Sequence, residues 1–169
     1  MKAHELLRLL SSTELDALVR DACQDEEIPD KIAGGVITYQ KIPLARFARL
    51  PDETRRAYVR RTLRDKQAAD LTLFVLSAAL VKGHADLISA FLEAAGLEHE
   101  GPSLSFEGEI PEPKPRTLKA AIDTVLKNFP ARQVSLYLHA FAGQADVHWK
   151  TLDERLATDP KLKLEDRST

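Results

Sequence analysis

The sequence predicts an all-α fold: antiparallel helix pairs making a compact bundle or a short α-solenoid-like stack of about seven to nine helices. Three observations carry this. Apolar residues recur at the helical period from end to end. Only 7 of the 169 residues are glycine, and Ala, Leu, Glu, Lys and Arg dominate, side chains that lose little freedom in a helix. Turn signals also fall between the periodic segments, as helix starts and stops require.

Taken in order, a first helix covers Ala3 to Leu10. Ser11-Ser12-Thr13-Glu14 matches a capping box, in which Ser11 accepts from the backbone while Glu14 reaches back. The helix that follows carries Leu15, Leu18, Val19 and Ala22 on one face. Asp25-Glu26-Glu27 with Ile28-Pro29 breaks it. Pro29 suits the start of a third helix to Gln40. Gly34-Gly35 argues against that helix, and Val36-Ile37-Thr38-Tyr39 also reads as a strand; helix is the favoured reading.

Pro43 and Pro51 bracket a short helix with Leu44, Phe47 and Leu50. Asp52 then caps an arginine-rich helix to about Asp65, with Val59 and Leu63 inward. Ala68 to Lys82 is apolar around most of its circumference and is expected at the centre of a bundle. Gly83 ends it. His84 to Ala95 presents Leu87, Ile88, Phe91 and Leu92, and Gly96 suits a left-handed cap.

Gly101 to Arg116 is the clearest loop, and Pro111-Glu112-Pro113-Lys114-Pro115 favours an extended conformation. Thr117 is expected to cap a helix to Asn128. Further helices run from Pro130 to about Gly143 and from Asp146 to Ala157. One domain is expected over residues 1–158, with sub-units 1–100 and 117–158 joined by loop 101–116. Residues 159–169 read as a polar tail.

Leu87 to Gly96 and Val134 to Gly143 echo each other at an offset of 47 residues, a spacing found in stacked helix pairs. Two amphipathic helices closing on glycine also resemble each other by chance.

Pro51 to Gly101 ends in Phe91-Leu92-Glu93-Ala94-Ala95-Gly96-Leu97-Glu98-His99-Glu100-Gly101. With Leu136-Tyr137-Leu138-His139 and Trp149, it resembles bacterial all-helical proteins of no assigned function. The resemblance covers about half the chain, rests on packing and capping residues, and implies the helical fold without an activity.

Charge is unevenly laid out. The chain is −2 overall, so no global field draws it to nucleic acid or membrane. Residues 1–30 carry −5 and residues 41–66 carry +6. Arg56, Arg60 and Arg64 recur every four residues, and Arg61 widens their stripe. Arginine forks suit phosphate or carboxylate, so this face is the first candidate for an anionic partner. The plainer alternative is a solvated face paired with the acidic N-terminal helix. Pro111, Pro113 and Pro115 mark a second candidate, a preformed recognition segment, against the alternative of a spacer. Trp149 is read as a packing residue, with an interface anchor as its alternative.

Cys23 is the sole cysteine, which rules out an internal disulfide. No metal, cofactor or catalytic motif stands out among the histidines, carboxylates and glycines. The longest near-apolar run, Leu71 to Val81, falls short of the ~20 residues of a membrane span. The opening residues place charges where an export signal needs apolar side chains, so the cytoplasm is the expected compartment. The expected function is non-catalytic interaction with another macromolecule, a protein in the first instance, or regulation through helix surfaces. Nucleic-acid association through the arginine-rich helix 52–66 is the second reading, and a small enzyme the third.

Overall fold

The computed structural model describes residues 1–105 and 108–167. It shows ten α-helices among them: α1 Ala3–Arg8, α2 Ser12–Ala22, α3 Ile28–Gln40, α4 Leu44–Ala48, α5 Asp52–Leu63, α6 Ala69–Gly83, α7 Ala85–Ala95, α8 Pro115–Asn128, α9 Ala131–Ala142 and α10 Lys150–Thr158. Short 3-10 turns cover Lys66–Ala68 and Pro160–Leu162. Two-residue strands, His99–Glu100 and Ser103–Leu104, pair antiparallel around a turn. The all-α fold is thus the one the periodicity predicts.

Contacts gather the helices into two units. The first holds Lys2–Gly83 with Asp166 and Arg167; the second holds His84–Glu165 with Met1. The sequence places a division in the proline loop, whereas the units divide after Gly83. The loop is itself built into the second unit. Ile110 N–H donates to the Asp146 carbonyl at 2.9 Å, and the indole N–H of Trp149 donates to the Ile110 carbonyl at 2.9 Å.

In the first unit, α6 packs chiefly on α2 and α1, and α3 packs on α5 and α6. The Ser11–Glu14 capping box forms as expected: Ser11 Oγ accepts from Glu14 N–H at 3.2 Å and Glu14 accepts from Ser11 N–H at 2.8 Å. Residues 32–40 are helical, and the reason lies in Gly35. It is buried, and a Cβ there would collide with the Leu71 side chain of α6. The glycine therefore sets how closely α3 approaches α6, rather than breaking α3. Thr72, a polar interruption in an apolar run, is fully buried and donates to the Leu63 and Ala68 carbonyls, each at 2.9 Å. The hydroxyl is thereby satisfied by carbonyls at the end of α5 and in the turn before α6.

In the second unit, α7 packs on α8, and α10 packs on α9 and α8. Phe91, Tyr137, Phe141 and Trp149 form an aromatic cluster, edge to face for most pairs, with centroids 4.9–5.9 Å apart. Trp149 is buried as the N-cap residue of α10, which starts later than the expected Asp146. The expected polar tail is corrected for residues 160–162: Asp159 caps a turn there, accepting from Lys161 N–H at 3.0 Å. That turn inserts Leu162, which is fully buried. The two echo segments end differently, Gly96 in the left-handed region at φ 72° and Gly143 right-handed.

Candidate functional site

The arginine-rich helix is built from opposed charges. Asp52 and Glu53 lie in its first turn, where the helix dipole favours negative charge. Arg55 pairs with Asp52, and Arg56 with Glu53 at 3.6 Å. Arg60 reaches both oxygens of Asp16 on α2, at 3.0 and 2.8 Å, and Glu53 at 2.5 Å. Its side chain is only 12% exposed. The Arg60 hydrogen bond holds the Glu53 carboxyl below its usual range, and Arg55 does the same for Asp52.

Arg64 turns the other way. It donates to the Leu10 carbonyl at 2.6 Å and the Leu7 carbonyl at 3.3 Å, around the C-terminal end of α1. Arg8 in turn donates to the Arg64 carbonyl at 2.9 Å, where α5 ends. Each arginine thus covers the negative end of the other's helix. Burial, followed by the nearby Arg60 cation, pushes the Arg64 guanidinium below its usual range. The four stripe arginines are therefore divided. Arg60 and Arg64 are directed onto α2 and α1, while Arg56 and Arg61 are exposed. Among the described residues, no ion pair or hydrogen bond holds Arg61.

Pro111 and Pro115 are exposed and Pro113 half-buried. The stretch is anchored at its start, by Ile110 and by the Glu112 carboxylate, which accepts from Thr151 N–H at 2.7 Å. Pro115 opens α8 and lines a groove of about 440 Å³ between α8 and α10, with Arg116, Lys119, Thr151 and Arg155. Arg155 is bound to Asp123 at 2.6 Å and Asp159 at 2.9 Å. Trp149 lies in the core, as its packing reading requires.

The feature that sequence reading missed is on α6. About 100° per residue brings Asp70, Leu73, Phe74, Ser77 and Val81 to one side of this helix, and all five are exposed. Leu73 is 48%, Phe74 41% and Val81 39% exposed. The expectation that this helix lies at the centre of a bundle is corrected: Thr72, Val75, Leu76, Ala79 and Leu80 are buried, and the opposite side faces outward. Lys31 of α3 lies over the Phe74 ring, 4.6 Å from its centroid. No sequence signal marks this side, because both sides of α6 are apolar. α4 also buries none of its residues, and Leu44 is 58% exposed.

Two buried polar atoms among the described residues lack a protein partner, His4 Nδ1 and the Tyr137 hydroxyl; burial pushes Tyr137 ionisation up. Ser135 Oγ at 2.6 Å and His139 Nε2 at 3.1 Å both donate to the Leu162 carbonyl. Among the described residues, no three His, Cys, Asp or Glu side chains gather as a metal site requires, and no single helix is long and apolar enough to cross a membrane.

Fold and surface together define a helical protein with an outward apolar helix side. No protein-family model, curated protein or solved structure matches the chain.

Proposed function

We propose that this chain is a non-catalytic interaction protein, located in the cytoplasm, whose contact surface is the exposed side of α6. The observation that carries this reading is the grouping of Leu73, Phe74 and Val81 on one outward side. Scattered apolar residues on a surface need no explanation, but several large ones together mark contact sites. Burying each exposed remainder contributes favourable free energy on association, and Phe74, an aromatic at the centre, suits an anchoring role. The cation over Phe74 supports a polar rim around an apolar centre, the usual layout of a contact surface.

A photo-crosslinking amino acid placed at position 74 in cells producing the chain tests this. An adduct heavier than the free chain is expected, with none from the same group at exposed Glu93. Recovery of only free chain from position 74 would overturn the reading.

A further inference from the structure

We infer that the trough between α8 and α10 binds an extended acidic peptide segment, with carboxylates toward its two ends and an apolar side chain between them. The groove that begins at Pro115 continues past Arg155 into a second hollow of about 400 Å³, lined by Leu126, Lys127 and Lys161. Arg155 lines both halves and stands between them, held to Asp123 of α8 and to Asp159. Charge selects the occupant. Every carboxylate lining the trough is already engaged: Asp123 and Asp159 by Arg155, and Glu154 by Lys150 at 3.8 Å. The remaining cations are not. Arg116 and Lys119 line one half, Lys127 and Lys161 the other; all are exposed, and no ion pair holds any of them among the described residues. The first turn of α8 carries no acidic side chain to offset them, so the positive end of its dipole adds to the Arg116 half. The planar fork of Arg116 also suits a carboxylate.

Shape and spacing narrow the partner further. Arg116 and Lys127 stand eleven residues apart on α8, which is about 16 Å along the helix axis. At about 3.3 Å per residue, that length takes about five residues of extended chain. Ile122, buried in the floor between the two pairs of cations, and Leu126 give the trough an apolar middle. An extended backbone directs alternate side chains to one side. An acidic residue at each end and an apolar one between them therefore match this layout. No aromatic side chain lines either half, so the stacking that holds single-stranded nucleic acid is missing here.

Fluorescence anisotropy of a labelled Glu-Glu-Gly-Leu-Gly-Glu-Glu peptide, titrated with the purified full chain, tests the inference. Saturable binding that weakens as salt is raised is expected, and the same peptide with Gln in place of every Glu should not bind. Lys119→Glu and Lys127→Glu should each weaken binding about fivefold, while Arg61→Glu, on the other basic helix, should leave it unchanged. Backbone amide signals of α8 and α10 should move in the nuclear magnetic resonance spectrum as the acidic peptide is added, a readout that does not depend on any variant folding. Absence of saturable binding at low salt, amide shifts confined to other helices, or equal binding of the Gln peptide would overturn the inference. So would tighter binding of an oligothymidylate of the same charge through Lys119 and Lys127, since the trough would then be a site for a phosphate backbone.

Discussion

At the scale of single residues, the arginines of α5 show how similar side chains come to do different work. Arg64 donates to carbonyls at the end of α1 and Arg8 to the carbonyl at the end of α5. Loss of Arg64 leaves those acceptors without a charged donor. Arg64→Ala is expected to cost about 1–3 kcal/mol, whereas Arg61→Ala should fall within about 0.5 kcal/mol of the parent. Urea unfolding of the two variants checks the contrast. His139 supplies a pH dependence. Burial is the main cause that pushes its pKa below the reference 6.5, with the Leu162 carbonyl opposing. The folded protein therefore binds fewer protons than the unfolded chain between the lowered value and 6.5. Stability from this group is complete above 6.5 and is lost as pH falls through that window. Asp52 and Glu53 also have lowered values, but from carboxylate references, so their contribution disappears only in more acidic solution. Unfolding midpoints should drop as pH falls below about 6.5, and the drop should shrink in His139→Gln.

At the scale of elements, the sequence was most informative where a cap or a period acts locally. The Ser11–Glu14 box and the Gly96 cap depend on neighbours within a few residues, so spacing revealed them. The free side of α6 was not legible, because burial depends on which helices arrive from elsewhere in the chain. Gly34-Gly35 was ambiguous for the same reason: one glycine serves packing and the other does not. A Cβ at Gly34 would meet nothing within 4 Å, while one at Gly35 would run into Leu71. Gly34→Ala should therefore stabilise by about 0.5–1 kcal/mol through helix propensity. Gly35→Ala should lose that gain to the displaced Leu71 and come out less stable than Gly34→Ala. Thermal unfolding of the pair, followed by far-ultraviolet circular dichroism, reads the difference.

At the scale of the whole molecule, composition and periodicity were sufficient for the fold class, since they sum over many residues. The division into units was not accessible. The proline stretch has the composition of a spacer, yet Trp149 and Asp146, distant in sequence, hold Ile110 in place. Leu162 likewise reads as part of a polar end, and only its carbonyl's partners on α9 show why it is buried. The charge layout was legible as a pattern, and Asp16 of the acidic N-terminal segment does pair with Arg60 of the basic one.

The most direct test is the rate at which a bulky maleimide labels a cysteine placed at position 77, in a Cys23→Ala background, inside producing cells and in dilute purified protein. If the outward side of α6 is covered in use, labelling in cells is much slower than in the dilute sample, and Phe74→Asp abolishes the difference. Equal rates in both settings would contradict a contact role for α6.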